Sequence, residues 1–267
     1  MDRTAQHDAW QAGEAYDAFM GRWSRRIAPQ FLDRLGVAEG ADWLDVGCGT
    51  GALTGAILAR CAPRGVLGVD PSAGFVAHAR ATVADPRASF AVGDARDLPV
   101  EPASRDAVVS GLMMNFVPDR AGAVAEMRRA ARPGGTVGFY VWDYPGEGIE
   151  FLSAFWDAAA ELDPEAAPLS EGRRFPFCEP EALTALADAA GLTAVRCDAI
   201  VAPTVFRDLD DLWRPFTLGA GPAPGYCASL APERRDRLRA ALGARLPARP
   251  DGTIALAARA WAIAARA

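Results

Sequence analysis

Lysine is absent from this chain of 267 residues; all 28 basic residues are arginine. We read that first as nucleotide bias of a GC-rich genome. It excludes any lysine-based chemistry, a Schiff base above all. Histidine is nearly absent too, with only His7 and His78. The five cysteines (Cys48, Cys61, Cys178, Cys197, Cys227) are odd in number and form no CxxC pair. No zinc site of ordinary spacing can be drawn from these residues, and no metal is expected. The thiols read as small apolar side chains in a reducing compartment. No stretch approaches the ~20 apolar residues of a membrane span. The first ten residues carry charges and no apolar run, unlike a secretory signal. A cytoplasmic protein with no membrane partner is expected.

Basic charge is also in short supply. Acidic residues outnumber basic ones 34 to 28, giving a net charge of −6. The arginines are scattered in pairs such as Arg128–Arg129, Arg173–Arg174 and Arg234–Arg235 rather than gathered in a stripe. Nucleic acid is therefore disfavoured as a partner. What the chain does have is apolar mass: 51% of it is hydrophobic, enough for a sizeable core.

The first forty residues look helical. Tyr16, Phe19, Met20 and Trp23 recur at three- and four-residue steps, on one helix face. A second helix is expected around Pro29 to Leu35. From residue 41 short apolar strands alternate with helical stretches, the pattern of βαβ units and a parallel sheet. Strands are read at 43–46, 66–70, 89–92, 107–110 and 136–142. Helices are read at 52–60, 73–83 and 119–131, the last stopped by Pro133-Gly134-Gly135. After Tyr144 the rhythm breaks. A helix at 180–190, a strand at 195–205 and a charged helix at 232–246 follow. Residues 253–264 read as a strand, although their alanine content also suits a helix.

Three strand ends carry chemistry. Leu44-Asp-Val-Gly-Cys-Gly-Thr-Gly-Ala52 turns tightly out of the first strand and lets a ligand lie against bare backbone. Asp45 stands at the carboxyl end of that strand, where open α/β sheets bind ligands. The second strand ends in Asp70, suited to a ribose diol or, equally, to capping the helix that opens with Pro71-Ser72. The third ends in Gly93-Asp94-Ala95, where a carboxylate could accept from adenine or simply make a turn. Taken alone, Gly47-x-Gly49-x-x-Ala52 also satisfies a relaxed dinucleotide fingerprint.

Five segments in order narrow the reading. Asp45-Val-Gly-Cys-Gly-Thr-Gly51, Gly68-Val-Asp-Pro-Ser72, Gly93-Asp-Ala95 with Leu98-Pro99, Asp106-Ala-Val-Val-Ser110 and Arg132-Pro-Gly-Gly135 resemble the successive motifs of class I S-adenosylmethionine-dependent methyltransferases. The likeness is to their small-molecule branch, of the ubiquinone/menaquinone-biosynthesis type, and covers about residues 41–142. It implies a doubly wound, Rossmann-like, mostly parallel seven-stranded α/β sheet with an N-terminal helical cap (1–40) and a cofactor-binding core (41–144). Acceptor-cap insertions are expected at 145–178 and 206–247, with the rest of the core at 179–205 and 248–267.

The resemblance also implies roles. The loop of Asp45, Gly47, Cys48, Gly49 and Gly51 would carry the methionine portion of S-adenosylmethionine. Asp70 and Pro71 would meet the ribose, and Gly93, Asp94 and Ala95 the adenine. Ser110, Gly111 and Leu112 would pass beside the sulfonium, leaving S-adenosylhomocysteine as product. Tyr16, Met20 and Trp23 would fold over the ligand, or simply pack on the core.

For the acceptor the residues say less. Asn115 lies past the fourth strand, where relatives that methylate nucleobase amines keep an Asn-Pro-Pro-Tyr type of motif that this chain lacks. It is an orienting group or a polar cap. Asp143 is a candidate base, with Trp142 and Tyr144 beside it. Arg173, Arg174 and Arg214 could meet a carboxylate on a small-molecule acceptor, aromatic or carboxylate-bearing. His78 lies on the helix after the second strand, away from this pocket. A nicotinamide-dependent oxidoreductase and a non-catalytic cofactor-binding member, monomer or homodimer, stay open beside the methyltransferase.

Overall fold

The computed structural model describes residues 17–219, 221–247 and 249–267, with the side chains of 17 and 18 left out. Tyr16 and His7 lie outside the described residues. Seven strands form one sheet in the order β3-β2-β1-β4-β5-β7-β6. These are β1 (Asp42–Val46), β2 (Gly65–Asp70), β3 (Ala88–Val92), β4 (Arg105–Gly111), β5 (Ala131–Trp142), β6 (Thr193–Phe206) and β7 (Ile254–Arg266). The first five pair in parallel, and β7 runs antiparallel to β5. The order reverses between β1 and β4, so a crevice opens outside their carboxyl ends.

Helices α1 (Arg22–Leu35), α2 (Ala52–Arg60), α3 (Ala73–Thr82), α4 (Arg120–Ala130) and α5 (Glu150–Leu162) come first. Then follow α6 (Glu171–Arg174), α7 (Pro180–Ala189), α8 (Leu209–Trp213), α9 (Pro222–Ser229) and α10 (Pro232–Arg245). Parallel strands covered on both faces carry near-continuous apolar runs. β1 and β4 do so, with Trp43, Leu44, Val46 and Ala107 to Val109 almost wholly buried.

Two local readings change and one ambiguous one holds. A single helix, α1, runs through Pro29 instead of a second one starting there. Proline costs that helix one backbone bond. Its buried stripe of Ile27, Ala28, Phe31, Leu32 and Leu35 holds it together across the gap. β5 begins at Ala131, five residues earlier than expected, because Arg105 already pairs with Ala131 before the register shifts. The alanine-rich C-terminal segment is a strand. Tyr140 lies opposite Ala262 and Trp142 opposite Ala260, so small residues face large ones across the ladder.

The chain divides into two compact units. One comprises Ser24–Trp142, Phe177–Ile200 and Ala260–Ala267, and holds β1 to β5. The other comprises, among the described residues, those up to Trp23, Asp143–Pro176 and Val201–Arg259. Its core is aromatic. Phe155 stacks on Phe216 at 4.3 Å, and Phe151 meets Phe19, Trp23 and Phe206 at 5.6–6.2 Å. Among the described residues no helix is long and apolar enough to cross a membrane.

Candidate active site

The first unit builds its site at the carboxyl ends of β1, β2 and β4. Asp45 is wholly buried. Its Oδ2 accepts from the Thr54 hydroxyl at 2.7 Å, and its Oδ1 has no hydrogen-bond partner. Burial pushes its carboxyl up to about 7, against the pull of Thr54; nearby Asp70 adds to the rise. A buried acceptor without a donor is costly unless a ligand supplies one. The loop after Asp45 bends through Gly47, Gly49 and Gly51, all at positive φ. A side chain on Gly47 would run into Met113, whereas the space above Gly49 is open.

Asp70 holds that loop. Its Oδ2 accepts from the Gly49 amide at 3.0 Å and its Oδ1 from Ser72 at 2.8 Å. Burial raises its carboxyl, opposed by these two amides. The capping of α3 falls to Ser72, whose hydroxyl accepts from Phe75. Asp70 thus ties loop to strand end, and each oxygen keeps a lone pair. Pro71 is exposed beside it. Asp94 is half-exposed and clasped by Arg96, which donates to both of its oxygens. That guanidinium holds its carboxyl down at about 2. Any donor reaching Asp94 shares it with Arg96. Ala95 is buried next to it, and the Gly93 amide donates to the Asp70 carbonyl.

At the end of β4, Ser110 is buried and its hydroxyl has no partner. Gly111 abuts the Tyr140 hydroxyl. Leu112 sits at φ +60°, a strained conformation for a branched residue, and donates to the Tyr140 carbonyl. Asn115 is buried in the turn Met114–Phe116, and its Nδ2 has no partner. Arg120 fixes this turn. It donates to the Met114 carbonyl at 3.2 Å and lies 3.8 Å over the Phe177 ring. Asp45, Ser110 and Asn115 thus leave three buried polar atoms unmet around one switch point.

Other expected site residues are placed differently. Cys48 turns its side chain into the cluster of Val76, Ala79 and Phe90, so only its backbone belongs to the loop. Met20 is buried, and Trp23 is spent on the aromatic core of its own unit, 5.0 Å from Phe206. Trp142 is buried in β5. Asp143 is engaged on both oxygens. Its Oδ1 accepts from the Gly146 amide at 2.9 Å and its Oδ2 from Arg259 at 2.5 Å. Half-buried His78 stays on α3. Arg214 is exposed on the turn Arg214–Leu218.

The second unit holds a cavity of about 370 Å³ built from residues 143–173. Tyr144 and Arg173 line it; Arg174 and Arg214 do not. Sequence reasoning missed its floor, Glu171, which is 3% exposed. Trp156 donates its indole N–H to Glu171. Burial pushes the Glu171 carboxyl up to about 7, opposed by its own amide, Trp156 and Arg174. Nothing in Ser170-Glu-Gly-Arg-Arg174 distinguishes this acid from a solvated one. Met113 and Arg259 were missed for the same reason, since each acts through a contact distant in sequence; Thr54 and Arg96 were missed although they act on Asp45 and Asp94 close by in the chain. Among the described residues no cluster of His, Cys, Asp and Glu could hold a metal.

Comparison with known proteins falls on the same stretch. Residues 44–139 match the family described as a methyltransferase domain. The match spans about a third of the chain, over β1 to β5. An uncharacterised 37.1 kDa protein of transposon TN4556 from Streptomyces fradiae is 37% identical over 124 residues, 45% of this chain and 36% of that protein. Demethylmenaquinone methyltransferase of Staphylococcus aureus is 36% identical over 117 residues, 43% of this chain and 47% of that enzyme. The chain spans less than half the length of these curated relatives. Among solved structures, Haemonchus contortus phosphoethanolamine N-methyltransferase 2 in complex with S-adenosyl-L-methionine covers 95% of this chain and 56% of its own, with TM-score 0.60 and 21% identity. The [4+2]-cyclase SpnF covers 91% of this chain and 80% of its own, with TM-score 0.55 and 19% identity. The chain thus shares its fold with a cyclase as well as with methyltransferases, and the fold alone leaves the reaction open.

Proposed function

We propose that the protein is an S-adenosylmethionine-dependent methyltransferase acting on a small-molecule acceptor. The observation that carries this is Asp45, a buried carboxylate with one oxygen unmet, directly before a glycine loop with open space at Gly49. The ammonium group of the cofactor's methionine portion supplies the missing donor. The residues fit the rest of the molecule as well. Asp70 keeps lone pairs for ribose hydroxyls, Asp94 and Ala95 stand where the adenine would lie, and Ser110 to Leu112 flank the sulfonium. S-adenosylmethionine supplies a methyl group already activated on sulfur. The protein's task is then chiefly alignment. Asn115 offers a buried N–H₂ to orient the acceptor, a reading the Arg120-braced turn supports. The segments 145–178 and 206–247 form the acceptor cap. Met20 and the indole of Trp23 serve it as packing.

An aromatic acceptor is supported by Tyr144 and Trp156 on the cavity wall. A nicotinamide cofactor gives no use to the unmet oxygen of Asp45, which favours the methyltransferase over the oxidoreductase. The test is calorimetric titration with S-adenosylmethionine and S-adenosylhomocysteine, beside Asp70→Ala and Asp94→Ala. Binding that both substitutions weaken is expected, Asp70→Ala more so because it also frees the Gly49 loop. Binding of NADH in place of either adenosyl compound would overturn the proposal.

A further inference from the structure

The cavity of the second unit has a chemistry of its own. One face of α5 lines it at helical spacing: Leu152, Ser153, Trp156, Asp157 and Ala160. The other face of that helix, Phe151 and Phe155, belongs to the aromatic core. At about 370 Å³ the cavity is of ligand size, within the usual few hundred Å³ of small-molecule pockets.

Its charge is one-sided. Four acidic residues line it, Asp143, Glu147, Asp157 and Glu171, against one basic residue, Arg173. Asp143 is already matched by Arg259 and shapes the wall instead. Its side chain and carbonyl accept from Gly146 and Gly148, and neither glycine has room for a side chain beside it. That wrap forces Glu147 between them to φ +54°, a strained conformation, and Glu147 is exposed on the cavity lining. Asp157 is exposed on the same lining, and Glu171 closes the floor under Trp156.

We propose that this cavity binds a small organic molecule carrying a protonated amine. The ammonium meets the Glu171 carboxylate on the floor, and the faces of Tyr144 and Trp156 take the ring or chain that bears it. Glu147 and Asp157 attract the cation at the mouth and repel carboxylates. The proposal rests on the methyltransferase reading only in calling this molecule the acceptor. It replaces the carboxylate-bearing acceptor suggested by the arginines with one of opposite charge.

The test uses a matched pair of probes on the full chain: tyramine, and 4-hydroxyphenylacetate, which keeps the phenol and exchanges the ammonium for a carboxylate. Binding is read by calorimetry and by the fluorescence of Trp156, with a Trp156→Phe control to identify the signal. Tyramine is expected to bind at least about tenfold tighter than its partner. Glu171→Gln, which keeps an acceptor for the Trp156 indole, is expected to weaken tyramine about tenfold. Asp157→Asn, at an exposed position that leaves folding alone, is expected to weaken it about threefold. Tighter or equal binding of 4-hydroxyphenylacetate, no tyramine binding at millimolar concentration, or no effect of either substitution would overturn the proposal. Adenosyl cofactor titrations are run separately. Tyramine binding without cofactor binding would sink the methyltransferase reading and leave this one standing.

Discussion

Each compact unit buries one acid that burial raises to about 7: Asp45 in the first, Glu171 in the second. The two differ in how they are held. Asp45 keeps one oxygen unmet beside a loop whose conformation demands glycine. Glu171 is held by an indole and by backbone amides on the floor of a cavity. Strand, turn and helix fix the first by local rules. The second exists only because separate segments close around it. The comparison teaches that a raised acid alone does not locate a site; its unsatisfied valence or the space beside it does.

The largest effect is expected at Asp45. Asp45→Asn keeps an acceptor for Thr54 and removes the charge. It should weaken S-adenosylhomocysteine by about 100-fold while leaving the protein folded, since a charge-assisted hydrogen bond in a buried site is worth roughly 1.5–3 kcal/mol. Titration beside a thermal melt checks both halves. The same loss from Glu171→Gln would break the contrast between the two units.

Gly47→Ala is next. Its new methyl meets Met113 at a backbone angle of φ +71° that side chains avoid. A loss of about 2 kcal/mol of stability is expected by chemical denaturation, from overpacking and backbone strain together. Gly49→Ala meets open space, so the Gly47 variant should lose more than the Gly49 one.

A smaller effect sharpens the comparison through protons. At pH 6.5 a large share of Asp45 is protonated in the free protein. A cofactor ammonium against its free oxygen favours the charged form, so binding should release up to about one proton. Titrations in two buffers of different ionisation enthalpy measure the release, and Asp45→Asn should abolish it.

The smallest effect concerns the apo protein's stability. Both acids have folded values above their unfolded ones, so the folded state binds more protons between about pH 4 and pH 7. Their contribution is fully present below the unfolded value and is lost as pH rises through about 7. Denaturation curves should therefore show less decline over this range in Asp45→Asn and in Glu171→Gln than in the parent.

What could be read without the structure follows the same divide. Trp43-Leu-Asp-Val46 and the glycines after it announce a buried parallel strand and its turn. Helix α2 falls where the apolar spacing puts it, at Ala52–Arg60. Proline misled, and alanine left the last strand ambiguous. Pro29 interrupts a pattern that tertiary packing carries through, and the alanines of β7 have meaning only against the aromatic residues of β5. In the second unit, residue type marked Tyr144 and Arg173, which do line the cavity, and Asp143, whose charge is spent on Arg259. Glu171 stayed invisible because its burial arises from Trp156 and α9, fifteen and about fifty residues away in the chain.

The most direct measurement is a crystal structure with S-adenosylhomocysteine. The ligand's amino group is expected within hydrogen-bond distance of Asp45 Oδ1 and its ribose at Asp70. A ligand bound elsewhere, with Asp45 still paired to Thr54 alone, would contradict it.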